Sequence, residues 1–331
     1  MTELVNGSKV LVTGGAGFIG SHIVDRLMAV GYEVGVLDNF STGDMRNLAK
    51  HLSQRIAIHD ADIRDYDAVR KVVQEYQFVL HQAALNNVTR SVDDPGQVND
   101  VNITGTLNLL RASVASKIER FVYASSSTVY GETETLPKRE SMVTVPSSPY
   151  GNSKLAAENY CRVFAKVYGL KTVSLRYFNV YGPRQKGGYG YYSGVIPSFI
   201  RWVSEGKAPT IFGDGLQTRD FTYVQDIVDA NVLSLTSPRV AGGEVYNIAG
   251  GRTISINELA LMVTGLLDRA DLVPVHVEPR KGDIRASYAD ISKAMLGLGY
   301  TPKFTLARGL VETVSWFSRE HSEEGLQRPV I

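Results

Sequence analysis

The chain has 331 residues, of which 44% are hydrophobic, and a formal net charge of +1 from 35 basic and 34 acidic side chains. This composition is sufficient for a large core, and the balanced charge does not favour nucleic acid or an anionic membrane as a partner. The single cysteine, Cys161, excludes an intrachain disulfide, and the six scattered histidines lack metal-site spacing. Without a signal-peptide pattern or an apolar run of 18 residues, a cytoplasmic protein with no membrane span is expected.

Short β-rich runs alternate with longer helical patterns in the first half of the chain, which is typical of βαβ units and a parallel sheet. The predicted strands are Lys9–Thr13, Glu33–Leu37, Arg55–His59, Phe78–Gln82, Arg120–Ser125, Lys171–Tyr177 and, later, Glu244–Ile248. Apolar residues at helical spacing predict helices between them, the longer ones being Val101–Val114 and Tyr150–Tyr168.

The predicted fold class is therefore α/β, a Rossmann-type doubly wound parallel sheet with a smaller, interleaved C-terminal substrate-binding lobe. Residues 1–180 are expected to form the first lobe, with 221–249 returning to it. Residues 181–220 and 250–331 are expected to form the second. Within the latter, 182–194 is rich in glycine and tyrosine and is predicted to be a loop, and 195–205 has a helical pattern.

A glycine turn follows the first predicted strand, with Gly14, Gly17 and Gly20 at G-x-x-G-x-x-G spacing. Glycines at such positions allow a tight turn, a close approach of the backbone to a pyrophosphate, and close helix packing. The N-terminus of the next helix offers free N–H groups to the phosphates. Asp38 ends the second strand, where a carboxylate accepts both ribose hydroxyls and repels a 2′-phosphate, so NAD is favoured over NADP.

Asp62 and Ile63 end the third predicted strand. They could meet the adenine edge of a dinucleotide, or Asp62 could instead cap the following helix. Both interpretations are open at this stage.

Tyr150 and Lys154 stand four residues apart, on one face of a predicted helix, and the serine-rich strand end Tyr123–Thr128 precedes them. A free tyrosine has a pKa near 10 and is a poor base at neutral pH. A nearby ammonium is expected to stabilise the phenolate and lower that pKa. With a serine hydroxyl and a nicotinamide, this set can oxidise a secondary alcohol.

These motifs resemble, in order and over nearly the whole chain, the extended short-chain dehydrogenase/reductase family. The matching segments are Gly14–Gly20, Asp38–Gly43, Asp62–Asp65, His81–Ala84, Tyr150 with Lys154, Leu175–Arg184, Arg219–Phe221 and Gly282–Asp283. Within the family, the chain is most similar to UDP-sugar 4-epimerases.

The resemblance implies roles for individual residues. It implies that Ser126, Tyr150 and Lys154 are catalytic, with Tyr150 as the base and Lys154 binding the nicotinamide ribose. The implied NAD contacts are Gly14, Gly17, Phe18, Ile19, Gly20, Asp38, Asn39, Ser41, Thr42, Gly43, Asp62, Ile63, Gln82, Ala83, Ala84, Asn102, Tyr150, Lys154 and Tyr177. The implied UDP-sugar contacts are Asn86, Ser126, Tyr150, Asn179, Val195, Arg219, Arg280, Asp283 and Ser287.

The implied reaction is redox-neutral: the sugar is oxidised at C4 to a 4-keto sugar, which rotates and is reduced on its opposite face by the retained cofactor. Related 4,6-dehydratases need a pair of acid and base carboxylates after the catalytic hydroxyl, and here Ser127 and Thr128 follow Ser126. Decarboxylases carry a glutamate in that segment. A uronic acid 4-epimerase is harder to exclude, and a non-catalytic NAD sensor would not need the intact triad.

Three further expectations concern specificity and assembly. The small Ser287 occupies a gatekeeping position of the family and leaves room for an N-acetyl group. Asn86 and Asn87 could bind the sugar or serve only loop and capping roles. Family members pair through two helices, so a homodimer through Asn99–Ser116 and Tyr150–Tyr168 is expected.

Overall fold

The strands of the protein define one large parallel sheet and several small ones. The computed structural model describes residues 7–54, 56–185, 194–279 and 284–326, with side chains up to residue 320. The strands are β1 (Lys9–Thr13), β2 (Glu33–Asp38), β3 (Ala57–Asp60), β4 (Phe78–His81), β5 (Arg120–Ser126), β6 (Thr172–Tyr177), β7 (Val180–Tyr181), β8 (Thr210–Phe212), β9 (Thr218–Asp220), β10 (Thr222–Tyr223), β11 (Glu244–Ile248), β12 (Thr253–Ser255), β13 (Val275–Val277) and β14 (Ala286–Ser287).

The helices cover the large sheet and build the C-terminal part. They are α1 (Phe18–Ala29), α2 (Tyr66–Val73), α3 (Val88–Asp93), α4 (Pro95–Asn99), α5 (Gly105–Ala115), α6 (Pro149–Tyr168), α7 (Val195–Ser204), α8 (Val224–Thr236), α9 (Ile256–Leu266), α10 (Ser292–Leu298) and α11 (Leu306–Leu326). Short 3₁₀ segments cover Met45–Gln54 and Ser127–Tyr130, and a π-helical turn covers Asp100–Thr104.

The large sheet has the order β11-β6-β5-β4-β1-β2-β3, and all its pairings are parallel. Strands β5 and β6 are buried along their whole length, because helices cover both faces of a parallel sheet. The order in which strands are added to the sheet reverses at β1. Strands β2 and β3 lie on one side of it, and β4, β5, β6 and β11 lie on the other. The carboxyl ends of strands next to such a reversal form a crevice where α/β proteins bind ligands.

The predicted sheet strands are confirmed, with end shifts of one or two residues. Predicted residue Gln82 lies just beyond β4, although its N–H still donates to the Thr13 carbonyl at 3.0 Å. Arg55, the predicted start of the third strand, lies outside the described residues. The α/β fold class is confirmed.

The C-terminal half contributes both to the large sheet and to a second hydrophobic core. Strand β11 returns to the sheet and pairs with β6, as the predicted interleaving requires. The second core includes buried side chains of α7, α9 and α11, such as Phe199, Leu259 and Leu310. Strand β9 pairs with both β12 and β14. The residue boundaries of the two predicted lobes stay predictions. Among the described helices, none is both long and apolar enough to cross a bilayer.

Candidate active site at the sheet reversal

The glycine turn forms a cradle between β1 and α1 that excludes side chains. Gly14 has a φ of +67°, and a Cβ there would lie 2.7 Å from the main-chain nitrogen of Ala83. A Cβ on Gly20 would lie 2.1 Å from the Gly14 carbonyl oxygen. Gly17 is the N-cap of α1 and brings no capping side chain, so no side chain competes for the first N–H groups of this helix. The cradle therefore fits a dinucleotide pyrophosphate at the helix N-terminus.

We expect Gly20→Ala to abolish NAD binding, because the added methyl group must displace the Gly14 carbonyl and open the cradle. The matched control is Gly265→Ala in α9, where a Cβ meets no atom within 4 Å. Alanine should stabilise that helix by about 0.5–1 kcal/mol and leave cofactor content unchanged. Cofactor absorbance after purification and thermal unfolding measure both effects. A Gly20→Ala protein that still retains NAD would contradict the assigned role of the cradle.

Asp38 lies at the end of β2, beside the cradle, and is 7% exposed. Its Oδ2 accepts from the Ala16 N–H and its Oδ1 from the Phe40 N–H, both at 2.9 Å. Burial raises the pKa of this carboxyl, the two main-chain donors lower it, and the nearby Asp60 raises it. Each oxygen keeps a further lone pair for a ribose hydroxyl. A 2′-phosphate, in contrast, would be repelled by the carboxylates of Asp38 and Asp60. A Cβ on Gly43 would lie 2.9 Å from both oxygens, so glycine keeps that approach open.

The loop after β2 meets the end of β3 through side-chain hydrogen bonds. The Asn39 Nδ2 donates to Asp62 Oδ2 at 2.8 Å, and the Ser41 hydroxyl donates to Asn39 Oδ1 at 2.7 Å. Asp62 also pairs with Arg64, which lowers its pKa to about 2. The helix-capping alternative for Asp62 is wrong, because Asp65 caps α2 instead. Asp62 therefore stays ionised, and both of its oxygens are occupied by donors from Asn39 and Arg64.

The remaining predicted cofactor residues occupy two environments. Ile63 is 5% exposed and packs against α5, where a Cβ on Gly105 would lie 2.5 Å from its Cδ1. Thr42 is exposed in the loop after β2, while Ala84 is half-buried after β4. Phe18 and Ile19 open helix α1 and contribute its first N–H groups.

A hydrogen-bonded group joins the end of β6 to the segment after β4 and to helix α8. The Tyr177 hydroxyl donates to Gln82 Oε1 at 3.2 Å and accepts from Asn231 Nδ2 at 2.7 Å. Gln82 Nε2 donates in turn to Asn231 Oδ1 at 3.1 Å. Tyr177 pairs in register with Ser126 across β5 and β6. Asn231 was not predicted from the sequence, because it is one of several polar residues, with Asp226 and Ser234, on the buried side of α8.

His81 is buried within a chain of hydrogen bonds in which the neighbouring groups determine which ring nitrogen donates and which accepts. The Thr106 hydroxyl donates to the Asn102 carbonyl at 2.6 Å, so it can only accept from His81 Nε2–H, 2.9 Å away. His81 Nδ1 must then accept from the Thr13 hydroxyl at 2.7 Å, and Thr13 Oγ1 accepts from the Ala83 N–H at 3.3 Å. Burial and the Lys154 ammonium lower the pKa of His81 to about 3. A neutral imidazole thus holds the end of β1 against α5.

Asn102 lies in the π-helical turn and joins the loop after β4 to helix α6. Its Oδ1 accepts from the Leu85 N–H at 2.8 Å, and its Nδ2 donates to the Leu85 carbonyl at 3.0 Å and the Ser153 hydroxyl at 2.9 Å. Ser153 donates onward to the Tyr150 carbonyl at 2.8 Å. Helical π turns are frequent at functional sites. Because its amide is occupied in this way, Asn102 positions the predicted cofactor loop.

Helix α6 carries the predicted catalytic tyrosine in its first turn. Ser148 caps the helix by accepting from the Gly151 N–H at 3.0 Å, Pro149 occupies the first turn, and Gly169 ends the helix with a φ of +72°. The Tyr150 N–H donates to the Ser91 hydroxyl on α3 at 3.1 Å. These contacts fix the position from which the phenol of Tyr150 meets Ser126.

The hydroxyl of Ser126 lies near enough to the phenol of Tyr150 to favour its phenolate. The Ser126 Oγ also accepts from the Thr128 N–H at 3.2 Å and from the Thr128 hydroxyl at 2.9 Å. With both lone pairs taken by Thr128, the Ser126 proton is left to donate to the Tyr150 oxygen or to a substrate hydroxyl. From the sequence, Thr128 is notable only because it is not a carboxylate, and its role in orienting Ser126 was not predicted.

The predicted lowering of the Tyr150 pKa by Lys154 is wrong. Burial raises the pKa of Tyr150 to about 12, although the nearby Ser126 hydroxyl lowers it in part. Lys154 Nζ donates to the Ala124 carbonyl at 2.9 Å and lies 5.9 Å from the Tyr150 ring centroid. Burial also lowers the pKa of Lys154 to about 7, so at neutral pH its positive charge is only partial. Desolvation of the phenolate outweighs this cation.

A cavity of about 480 Å³ is lined by residues that follow β6 and by residues of α7, β8 and β9, whereas Ser126, Tyr150 and Lys154 are not part of its lining. Predicted substrate residues Asn179, Val195 and Arg219 all line it. Arg219 Nη1 donates to the Thr218 carbonyl at 2.9 Å, and Ser287 pairs with Arg219 through β14 and β9. The cavity lining also contains residues that the sequence analysis did not single out, among them Val88, Phe199, Trp202, Phe212, Gln217 and Phe221.

The other predicted substrate residues are placed differently. Asn87 caps α3 by accepting from the Arg90 N–H at 2.8 Å, which confirms its capping alternative. Asn86 is exposed beside it. Arg280 and Asp283 lie outside the described residues, as do the tyrosines of the 186–193 segment.

Helix α1 is also attached to the segment after β7. His22 Nε2 donates to the Pro183 carbonyl at 2.9 Å, and Asp25 Oδ2 accepts from Arg184 Nη2 at 2.8 Å. Burial and the Arg184 charge lower the pKa of His22 from its ordinary 6.5 to about 4. The helix that would hold the pyrophosphate is thus tied to a segment that leads into the substrate side.

The His22 pKa predicts how stability depends on pH. A base whose pKa is lowered on folding contributes stability above its unfolded pKa, and this contribution is lost as pH falls from about 6.5 towards 4. Between pH 7 and pH 5 we expect His22 to account for a loss of about 2 kcal/mol in the free energy of unfolding. His22→Gln keeps a donor for Pro183 but cannot titrate, so urea unfolding at both pH values should show a weaker dependence by that amount. An unchanged dependence would exclude His22 as the source.

The cradle, Asp38 and the Ser126–Tyr150–Lys154 group define a dinucleotide-dependent enzyme of the dehydrogenase/reductase type. The profile of the NAD dependent epimerase/dehydratase family matches residues 10–249. The chain therefore belongs to this family, and NAD is its cofactor.

Known proteins of similar sequence and structure include 4-epimerases. A putative UDP-glucose 4-epimerase of Methanocaldococcus jannaschii is 40% identical over 319 residues, covering 94% of this chain and 99% of that protein. The UDP-N-acetylglucosamine 4-epimerase of Methanobrevibacter ruminantium, solved with UDP-N-acetylmuramic acid, superimposes with a TM-score of 0.90 at 39% identity, covering 96% of this chain and 100% of its own. The UDP-glucose 4-epimerase of Thermotoga maritima, solved with UDP-glucose, superimposes with a TM-score of 0.88 at 39% identity, covering 95% of this chain and 99% of its own. The predicted resemblance to UDP-sugar 4-epimerases is confirmed.

Proposed function

We propose that the protein catalyses C4 epimerisation of a UDP-sugar with retained NAD. The observation that carries this proposal is that Ser126 and Tyr150 meet at the carboxyl end of β5, and that both are connected to elements that line the cavity. Ser126 pairs with Tyr177 in the sheet, and Asn179, two residues further on, lines the cavity. Val88 of α3 also lines the cavity, and Ser91 of the same helix accepts from the Tyr150 N–H.

The side chains divide the proposed chemistry between them. Ser126 donates a hydrogen bond to the sugar O4, and Tyr150 takes the O4 proton and later returns it. Bound NAD would supply the redox chemistry, taking a hydride from C4 and returning it to the opposite face of the 4-keto sugar. Asn179 and Arg219 face the diphosphate, whose oxygens suit the planar donors of arginine.

The alternatives within the family differ in the groups they require. A 4,6-dehydratase needs carboxylates after the catalytic hydroxyl, and this chain has Ser127 and Thr128, of which Thr128 orients Ser126. A UDP-glucuronate 4-epimerase would use the same triad with different pocket residues and is the second candidate.

The size of residue 287 supports acceptance of N-acetylated sugars. Ser287 is half-buried and pairs with Arg219 in the sheet at the cavity. A tyrosine at this position would narrow the pocket. We expect Ser287→Tyr to lose turnover of UDP-N-acetylglucosamine by at least tenfold while keeping turnover of UDP-glucose, measured in parallel assays. Equal loss on both substrates would contradict a gatekeeping role.

The function is tested by incubating the purified protein, without added NAD, with UDP-N-acetylglucosamine, UDP-glucose and UDP-glucuronate, and following the sugars by NMR. C4 epimers of the first two support the proposal, and an epimer of the third alone supports the second candidate. A keto-deoxy sugar or released CO₂ would assign the chain to the sibling chemistries. Bound NAD without any turnover would favour a non-catalytic sensor.

We also propose a homodimer through α5 and α6. Tyr160, Val163 and Val167 are 37%, 49% and 62% exposed and recur at helical spacing on the outer face of α6. Such a stripe on a long helix is suited to burial against a second copy. Sedimentation of the wild type and of Val163→Lys tests it: a dimer that becomes monomeric supports the interface, and a monomeric wild type contradicts it. The predicted cytoplasmic location stays a prediction.

A further inference from the structure

Asp220 is a fully buried carboxylate for which the proposed chemistry has no use. It ends β9 and is 0% exposed. Its Oδ1 accepts from the N–H groups of Gly250 and Gly251 at 3.0 and 3.1 Å, and its Oδ2 accepts from the Ala289 N–H at 3.4 Å. Burying a carboxylate costs several kcal/mol unless such donors surround it. Its position therefore reflects a specific arrangement of backbone around it.

The donors come from two separate parts of the chain. Gly250 and Gly251 follow β11 of the large sheet, while Ala289 follows β14. The main chain of Phe221 packs so closely against Gly250 that no side chain fits there, because a Cβ would lie 2.6 Å from the Phe221 carbonyl oxygen. Asp220 is thus the point at which the cofactor sheet is connected to the strand that carries Ser287.

The same strand sets the positions of three predicted substrate residues. Arg219 precedes Asp220, and neighbouring side chains on a strand point to opposite faces, so the carboxylate can be buried while Arg219 lines the cavity. Ser287 is the register partner of Arg219. Asn179 Nδ2 donates to the Asp220 carbonyl at 2.9 Å. All three contacts depend on β9 holding its place.

We infer that Asp220 is a positioning residue that fixes Arg219, Asn179 and Ser287 relative to the cofactor sheet, so that the diphosphate-binding side of the cavity is formed before the nucleotide arrives. This inference rests on the proposed UDP-sugar function. A carboxylate suits the position because every group around its oxygens is a donor. In an asparagine at this position, the side-chain oxygen can still accept from Gly250 and Gly251, but the Nδ2 group then faces the Ala289 N–H. Both groups are donors, so no hydrogen bond forms between them.

The first test compares Asp220→Asn with Asp226→Asn. Asp226 is the matched control, because it is 1% exposed and accepts the N–H groups of Lys303 and Phe304 at 2.8 and 3.3 Å, away from the cavity lining. Calorimetric titration with UDP is carried out on the NAD-containing proteins at pH 8.5, since burial raises the pKa of Asp220 to about 7.

We expect Asp220→Asn to weaken UDP binding by about 10- to 100-fold, with NAD content unchanged and kcat at saturating substrate within threefold of the wild type. Asp226→Asn should lower thermal stability but leave UDP affinity within twofold. Equal weakening in the two variants, or unchanged UDP affinity in Asp220→Asn, would overturn the inference. A wild type that binds NAD but no UDP would overturn the proposed function itself, which is a different outcome.

A second measurement needs no variant and covers the case in which Asp220→Asn does not fold. Amide hydrogen exchange of the wild-type holoenzyme, with and without UDP, reports on the three donors directly. UDP should slow exchange at Gly250, Gly251 and Ala289 by at least threefold and leave Lys303 and Phe304 unchanged. Exchange at Ala289 that does not respond to bound UDP would show that Asp220 is not coupled to the nucleotide site.

Discussion

Replacing Tyr150 with phenylalanine should lower turnover of a UDP-sugar by about 10³-fold while NAD remains bound. The variant loses only the phenol oxygen, which lies near the Ser126 hydroxyl and is the proposed acceptor of the O4 proton. A positioned general base contributes roughly 10²–10⁴-fold to a rate. The cofactor should remain because the glycine cradle and Asp38 are unchanged. Steady-state assays and cofactor absorbance of the purified variant measure the two quantities separately.

Tyr123→Phe is the matched control for this experiment. Tyr123 is also buried, and Lys154 Nζ lies 5.1 Å from its ring centroid, but its hydroxyl has no hydrogen-bond partner among the described residues. Removing an unsatisfied hydroxyl should leave kcat unchanged and raise the free energy of unfolding by up to about 1 kcal/mol. If Tyr123→Phe reduced turnover as much as Tyr150→Phe, the loss would reflect disturbed packing around Lys154, and Tyr150 would not be established as the base.

The pH dependence of turnover follows from the same group. Burial raises the pKa of Tyr150 to about 12, so the phenolate is scarce at neutral pH. An oxidised nicotinamide, when bound, would bring a positive charge that favours the phenolate. Cofactor retention would then be coupled to catalysis through Tyr150.

The parts of the site that could be predicted from sequence are those determined by local backbone geometry. The glycine turn, Asp38 at a strand end, and the Tyr150–Lys154 pair all depend on spacing within one βα unit, and each lies where predicted. Strand ends were predicted to within two residues because parallel strands buried on both faces have continuous apolar runs.

The parts that could not be predicted depend on contacts between distant segments. The direction of the Tyr150 pKa shift depends on how completely the fold excludes water from the phenol. The spacing of residues along the sequence carries no information about this. Asn231 reaches Tyr177 across 54 residues, and Asp220 receives N–H groups from Gly250 and Ala289. Asp62 was open between two roles because only the fold shows that Asp65 caps α2.

The largest effect on stability is expected at an ion pair directly behind the active site. Glu158 and Arg176 are 0% and 1% exposed, and their contacts are bidentate: Arg176 Nη2 to Oε1 at 2.7 Å and Nε to Oε2 at 3.0 Å. Ser125 donates to Oε2 at 2.9 Å, and Arg162 reaches Oε1 at 3.1 Å from the helix surface. Glu158 follows Lys154 by one turn of α6, so the pair joins this helix to β5 and β6.

Arg176→Met should therefore lower the free energy of unfolding by about 3–5 kcal/mol, because it leaves Glu158 buried with only Ser125 and the half-exposed Arg162. The control Arg269→Met breaks an exposed pair with Asp271 and should cost less than about 1 kcal/mol. Combining Arg176→Met with Glu158→Leu removes both charges and should regain at least half of the loss, since a buried pair is no more stabilising than apolar residues of similar volume. Urea unfolding of the wild type, Arg176→Met, Glu158→Leu, the double variant and the Arg269→Met control measures these differences. If the double variant were as unstable as the sum of its single changes, the uncompensated Glu158 charge would not be the cause, and packing of the Arg176 guanidinium against Tyr130, at 4.7 Å from its ring centroid, would explain the loss instead.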